Sequence, residues 1–417
     1  MLTALGFAVW AWRRAGAGIP AGALAICGIA ILVPLAQLMP LPPSVWHSLP
    51  GRDVERQALA LIHQSDSWRP ISVIPGRTLA SLLAMVAAVA VVPMVAVLRR
   101  EQISVLLAGI VGFALLSVLV GVFQMAGVTA LRFYLPYQSL PVGFQVSRNF
   151  QAEVLNIGIL CAGAVTRLAL GRRRMAELGV RVVSVNFFCT LLLETAQVLG
   201  ASRMGLALSL VAIGGQALFL RPALRPLVKK RLALGGLALG ALALAGGLVF
   251  VGDAQNALDR FSGVDQTRAR LAHDALVIAA QFTPVGAGMG TFLPLYEANE
   301  RLDLVSPAYV SRAHDDYLEL MVETGWSGFV VLAAIAVLWG GQVARMWRSG
   351  NDAARTLCTL SAFSLGFVAL HSVVDYPLRS MTLAALSAVM IGLVFCHEAV
   401  LRPGEGDRHP SETKVRE

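Results

Sequence analysis

Charge is what this sequence has least of. Only 14% of its residues are charged, against about 25% in an ordinary soluble domain. With 56% hydrophobic residues and a mean hydropathy of +0.68, that shortage excludes a water-soluble globular protein and defines an integral membrane protein. Cysteine is also sparse. Cys27, Cys161, Cys189, Cys358 and Cys396 each fall in an apolar stretch, with no C-x-x-C pair among them. The pattern argues against disulfides and against a thiolate zinc site, and for small side chains packed among helices. Aromatic residues make up 7% and do not interleave with the basic clusters, as a stacking platform for nucleic acid requires. The net charge of +9 and pI near 9.8 therefore do not mark a nucleic-acid partner. The basic residues sit in short clusters between apolar runs, as in a protein facing an acidic leaflet.

What is present is a long series of apolar runs. A membrane-crossing helix needs about 20 apolar residues. Runs near 2–12, 19–39, 79–98, 103–127, 152–170, 182–200, 204–220, 232–251, 326–344, 356–374 and 381–400 predict an all-α protein with about 11 (10–12) crossings. The first run is short, as expected of a shortened or misassigned start, and no cleavable signal pattern is clear. Alternate connections carry Arg13-Arg14, Arg99-Arg100, Arg172-Arg173-Arg174 and the basic residues around 221–231, 345–355 and 402–416. The positive-inside rule assigns these to the cytoplasm. The segments 40–77, 128–150, 252–325 and the tight turns 200–204 and 371–380 then lie on the outer side. The organisation expected is one integrated membrane domain: helices over 1–251, a long outer loop with amphipathic helices over 252–325, further helices over 326–400, and a cytoplasmic tail over 401–417.

The outer segments hold most of the interesting polar residues. Ala313-His314-Asp315-Asp316-Tyr317-Leu318 is a dense polar cluster just before an apolar helix. A histidine there suits proton transfer near neutral pH, with Asp315 or Asp316 fixing its tautomer; the plainer alternative is capping or loop packing. Glu319 and Glu323 follow on one helix face. Arg203, in an almost loopless turn between two runs, either snorkels to lipid headgroups or forks onto a phosphate. Arg148 and Asn149 precede a run, where they either hold an anion at a helix N-terminus or cap it. Arg268 opens an amphipathic pattern read as a helix on the membrane surface. The glycines of Pro284-Val285-Gly286-Ala287-Gly288-Met289-Gly290 fit a tight turn or a close approach to a ligand, not a dinucleotide fingerprint, because no strand precedes them. Asp375 and Arg379 read first as an ion pair closing the last outer turn. Glu153 and Glu194 are the main charges within spans, Glu194 without an evident role. Neither H-x-x-x-H nor D-x-D falls in a plausible metal-binding place.

Several of these elements resemble one family. Ser147-Arg148-Asn149-Phe150-Gln151-Ala152, Ala201-Ser202-Arg203-Met204-Gly205, Arg268 with the glycine-rich run to Phe292, the His314 block with Glu323-Thr324-Gly325, and His371-Ser372-Val373-Val374-Asp375-Tyr376-Pro377-Leu378-Arg379 resemble, in order and spacing, the O-antigen ligase and polymerase superfamily, the Wzy_C pattern. The chain departs from that pattern where Asp315 replaces an Asn and where Phe150 replaces a His. The resemblance implies an architecture similar to multi-span GT-C-type glycosyltransferases in a bacterial inner membrane. It implies transfer of a glycan from undecaprenyl diphosphate to an acceptor glycolipid or glycan on the periplasmic face, with no cofactor and no essential metal. On this expectation His314 is the catalytic base, Arg203, Arg268 and Arg148 bind the diphosphate, and Asn149, Asp315, Asp316, Tyr317, Asp375 and Arg379 support them. A repeat-unit polymerase, a non-catalytic transporter of the same lipid, and a component of a polysaccharide export complex are the alternatives.

Overall fold

The computed structural model describes residues 18–133, 141–229, 266–300 and 312–396. The runs expected at 2–12 and 232–251, and the tail at 401–417, lie outside the described residues. The described helices are α1 (Ala21–Leu38), α2 (Pro43–Trp46), α3 (Asp53–Leu61), α4 (Pro75–Val89), α5 (Val91–Ala96), α6 (Arg100–Met125), α7 (Arg148–Glu177), α8 (Gly179–Gly200), α9 (Arg203–Lys229), α10 (Gln266–Phe282), α11 (Phe292–Asn299), α12 (Asp316–Thr324), α13 (Trp326–Arg348), α14 (Asp352–His371) and α15 (Met381–Leu393). The strands β1 (Pro40–Leu41) and β2 (Arg69–Pro70) form one short antiparallel ladder. The protein is thus all-α and multi-pass.

Among the described residues 8 helical segments are long and apolar enough to cross a membrane, with α4 and α5 acting as one, and α15 is a shorter apolar helix. These coincide with nine of the runs read from the sequence. Two helices run well past their expected ends, and α9 continues from the run ending at 220 through Arg221 and Arg225 to Lys229. The triple arginine at 172–174 was expected between spans, but α7 continues to Glu177 with a kink at Gly171, whose φ is +65°. Beside that kink Arg167 bonds Asp352 at the start of α14 (2.8 Å), pinning the two helices at the end of the bundle away from His314.

The bundle is built around α7. Every residue from Phe150 to Ala164 is buried, whereas only 6% of the apolar window of α13 is. A helix buried on all sides must offer partners close approach, and in lipid that comes from small side chains rather than from a hydrophobic drive. Gly205 of α9 demonstrates it: a Cβ there would overlap the methyl of Ala152 on α7. This approach brings the start of α9 against the start of α7.

A second core lies under α12. Leu271, Ala275, Ile278, Ala279 and Phe282 of α10 pack with Phe292, Tyr296, Ala313 and Val322. The α10 face expected to rest on the membrane is therefore spent inside the protein, while Leu276 and Val277 stay exposed. The glycine loop between α10 and α11 wraps the end of α12. Ala287 N–H donates to Val322 O (3.0 Å) and Gly288 N–H to Glu323 O (2.8 Å). At Gly286, φ +85°, a Cβ would meet the Thr324–Gly325 backbone at 2.5 Å. The glycines thus serve close backbone packing. Gln37 at the end of α1 completes this joint by donating to Glu323 O (2.8 Å) and accepting from Met289 N–H (3.0 Å).

Candidate functional site

His314 is held by the three residues that follow it. Asp315 is the N-cap of α12, its carboxylate accepting from the N–H groups of Tyr317 (2.8 Å) and Leu318 (3.0 Å). Asp316 accepts from Ser372 Oγ (3.0 Å) and Leu378 N–H (3.1 Å), and its own N–H donates to Ser372 O (2.9 Å). The Tyr317 hydroxyl donates to Ala369 O (2.9 Å). Together they fasten the start of α12 to the end of α14. His314 precedes this latch with φ +53°, a left-handed conformation uncommon for a side chain with a Cβ and sustained by its surroundings. Its ring meets Tyr376 edge-on with centroids 5.0 Å apart, and Tyr376 in turn meets Phe150 at 5.3 Å.

The imidazole's acidic neighbour is Asp375, not Asp315 or Asp316. His314 Nδ1 lies 3.4 Å from Asp375 Oδ1, a charge contact outside good hydrogen-bond alignment, with His314 one-third exposed and Asp375 buried. The same Oδ1 accepts from Tyr376 N–H (3.0 Å) and Oδ2 from Asn149 Nδ2. Asn149 Oδ1 accepts from Ser202 Oγ (2.8 Å). A continuous path, Ser202–Asn149–Asp375–His314, thus joins four segments far apart in sequence. Burial alone would raise the Asp375 carboxyl, but His314 and Asn149, with the His371 charge nearby, hold it below the ordinary carboxylate value.

The arginines enter through the helix starts. Ser147 caps α7 by accepting from Asn149 N–H (3.1 Å), and Ser202 caps α9 by accepting from Gly205 N–H (3.2 Å). Arg148 and Arg203 are the first residues of these two helices, each one position from a member of the path. Both helix N-termini, with their partial positive charge, open at the same place. Ala201, at φ +50°, makes the turn from α8 into α9 tight enough for this. Arg268 reaches in from α10, its Nη1 donating to Val374 O (2.9 Å) beside Asp375. The residues read from the sequence as base and diphosphate ligands are therefore brought to one end of the bundle.

Arg379 belongs elsewhere. It does not pair with Asp375 but with Glu323 (2.8 Å), Glu319 (3.4 Å) and Asp316 (3.6 Å), and Arg312 bonds Glu319 at 2.6 Å. Glu323 Oε1 also accepts from Gly290 N–H (2.8 Å), tying the glycine loop to the cluster. Burial pushes Asp316 up to about 6 despite Arg379, and raises Glu323 likewise. Burial would lower Arg379, but the three carboxylates outweigh it and raise it. Asp315 is also raised by burial against its two N–H donors. This network joins α12, the glycine loop and the last turn beneath His314. Among the described residues no group of three His, Cys, Asp or Glu side chains is arranged to hold a metal ion. Glu194 lies buried in α8 against Ser209 of α9.

Sequence reading missed Ser202 as the link to Asn149, Gln37 as the brace of Glu323, and a buried pair between Glu153 and His371, with Glu153 Oε2 3.0 Å from His371 Nδ1. The signal for the last was present: Asn149 and Glu153 are four residues apart on one face of α7, and His371 at the end of α14 is four before Asp375, whose N–H donates to the His371 carbonyl in the following turn (2.9 Å).

A polytopic helical membrane protein that gathers an imidazole, a buried carboxylate and arginines where helices begin holds groups able to bind an anion and to move a proton. Residues 187–333 match the Wzy_C family model, described as O-antigen ligase. That matched stretch includes Arg203, Arg268 and His314. Asn149 and Asp375 lie outside the matched stretch and join it through Ser202 and His314, and Arg148, also outside it, adjoins Asn149. No curated protein matches the chain.

Proposed function

We propose that this protein transfers a glycan from undecaprenyl diphosphate to a sugar hydroxyl of a glycolipid or glycan acceptor, on the periplasmic face of a bacterial inner membrane. The four stretches 1–251, 252–325, 326–400 and 401–417 work as one membrane domain, with the outer stretch 252–325 supplying Arg268 and His314. The observation that carries the reading is the path Ser202–Asn149–Asp375–His314, flanked by Arg148 and Arg203 at two helix starts and by Arg268 at Val374.

In this reading the bond between the anomeric carbon and the phosphate oxygen breaks, and its electron pair leaves on the diphosphate. Guanidinium groups at Arg203, Arg268 and Arg148, with the two helix N-termini, stabilise that charge by charge-assisted hydrogen bonds. A neutral His314 with Nδ1–H toward Asp375 presents Nε2 as the base, which takes the proton of the acceptor hydroxyl as its oxygen bonds the anomeric carbon. Direct displacement inverts that centre. Asp375 holds the ring and stabilises the imidazolium that forms. The same chemistry serves a ligase acting on lipid A–core and a polymerase acting on another lipid-linked repeat.

The test is reconstitution of pure protein with lipid-linked glycan and acceptor. A new glycosidic product is expected, falling about 10²–10⁴-fold in His314→Ala while the variant still inserts. Lipid movement across the bilayer without product would support a transporter instead, and unchanged transfer in His314→Ala would remove the base.

A further inference from the structure

The Asn149–Asp375 bond has a second rung below it. Asn149 and Glu153 are successive residues of one face of α7, and His371 and Asp375 stand four apart where α14 ends. The upper rung opens onto the site. The lower one, Glu153 Oε2 to His371 Nδ1 at 3.0 Å, is closed, with both side chains at 0% exposure. His371 also starts the turn that follows: its carbonyl accepts from the N–H groups of Val374 (3.0 Å) and Asp375 (2.9 Å). That turn carries Asp375 beside His314, the Val374 carbonyl that receives Arg268, and Ser372, which holds Asp316. These contacts of the turn pass through residues that the catalytic reading needs or that anchor them.

A polar pair sealed in the bundle is a poor way to gain stability. Two buried partners gain less than well-packed apolar groups of the same volume commonly do, and this pair leaves His371 Nε2 and Glu153 Oε1 without hydrogen bonds. What it supplies is direction. An apolar contact lets α14 slide or rotate on α7, whereas a single hydrogen bond between the ring and the carboxyl fixes one register.

We propose that Glu153 and His371 are a positioning pair that sets the register of the 372–376 turn on α7, and through that turn the aim of His314 at the acceptor hydroxyl. The proposal rests on the catalytic reading of His314. The pair itself touches neither donor nor acceptor, so its loss should appear chiefly in kcat, with a smaller rise in donor KM through Arg268, which bonds the Val374 carbonyl of the same turn.

The experiment compares Glu153→Gln, the double variant Glu153→Leu/His371→Leu, and His314→Ala in the reconstituted transfer assay, with thermal unfolding of each. In Glu153→Gln the amide can still bond the ring, so kcat within about threefold of wild type is expected. The double variant is expected to keep its unfolding temperature and to lose about 10- to 100-fold in kcat, since misaimed reacting groups cost about that much, while donor KM rises by no more than about threefold. Full kcat in the double variant overturns the proposal, as does an equal loss in Glu153→Gln, which would make charge rather than register the cause. If the double variant does not insert, Glu153→Ala, which removes the hydrogen bond to His371, takes its place with the same two outcomes. Activity retained in His314→Ala would sink the catalytic reading instead, so the two failures are told apart.

Discussion

Asn149 on the first turn of α7 and Asp375 in the turn after α14 stand 226 positions apart and share a hydrogen bond. The bond occupies one carboxylate oxygen and leaves the other facing His314. It fixes which carboxylate serves the imidazole, and it couples that carboxylate to the start of the most buried helix in the bundle.

Asp375→Asn keeps the shape of the side chain but removes the charge that steadies an imidazolium. An amide can also turn its NH2 toward His314 and favour the wrong tautomer. Transfer by the reconstituted variant should fall roughly 10- to 1,000-fold, within the range of general-base help, with donor KM little changed. Asp315→Asn, which keeps an oxygen to cap α12, should stay within a few fold of wild type.

Gly205→Ala places a methyl against Ala152 and forces α9 off α7. Overpacking of this kind costs about 1–3 kcal/mol, and it stretches the Ser202–Asn149 bond. A lower unfolding temperature together with weaker donor binding is expected. Ser202→Ala should cost about 1 kcal/mol as a lost cap, with a smaller effect on donor binding than Gly205→Ala.

Arg379 compensates three carboxylates, two of them fully buried. Arg379→Ala leaves Glu319 and Glu323 short of counter-charge, a change that costs about 3–5 kcal/mol in buried pairs. Loss of folded protein, measured by detergent-solubilised yield and thermal unfolding, should therefore exceed that in Arg203→Ala, which stands exposed at the start of α9.

The same cluster makes stability depend on pH. Asp316 titrates near 6 when folded, against an ordinary value of 3.8, because burial outweighs Arg379. A raised carboxyl favours the protonated state in the fold, so its contribution is complete below 3.8 and is lost as pH climbs through about 6. Glu323, raised too, acts with the same sign. Asp375 is lowered, and its contribution is lost only on going below the ordinary carboxylate value. The apparent unfolding temperature should fall between about pH 4 and 7, reflecting on the order of 1–3 kcal/mol. Asp316→Asn should flatten that slope. A wild-type slope of the opposite sign across this window contradicts the assignment.

Much of this was legible in the sequence because the physics is local or periodic. Apolar runs of membrane length mark the crossings, so nine runs fall on described helices, eight of them long enough to cross a membrane, with the ends differing most at α7 and α9. The helix over 266–282 and the shared face of Glu319 and Glu323 follow from a 3.6-residue period. Pairing across the chain is not local. Asp315 and Asp316 adjoin His314 and were the natural partners, yet helix capping and the Ser372 contact claim both, and Asp375 arrives from the next turn in space. Arg379 was matched to Asp375 for the same reason, nearness along the chain, while the buried carboxylates of α12 make the stronger demand. The α10 face expected on the membrane is consumed by α12, which no single-helix pattern announces. Gln37, at the end of a span, carried no motif at all.

In the proposed mechanism Arg203 and Arg268 hold one lipid diphosphate while His314 acts on the acceptor beside it. Binding of undecaprenyl diphosphate to the protein in lipid nanodiscs, measured for wild type, His314→Ala and the Arg203→Ala/Arg268→Ala double variant, separates the two roles. The account predicts unchanged affinity in His314→Ala and at least about 10-fold weaker binding, roughly 1.4 kcal/mol or more, when both arginines are removed. Full affinity in the double variant, or an equal loss in His314→Ala, would contradict it.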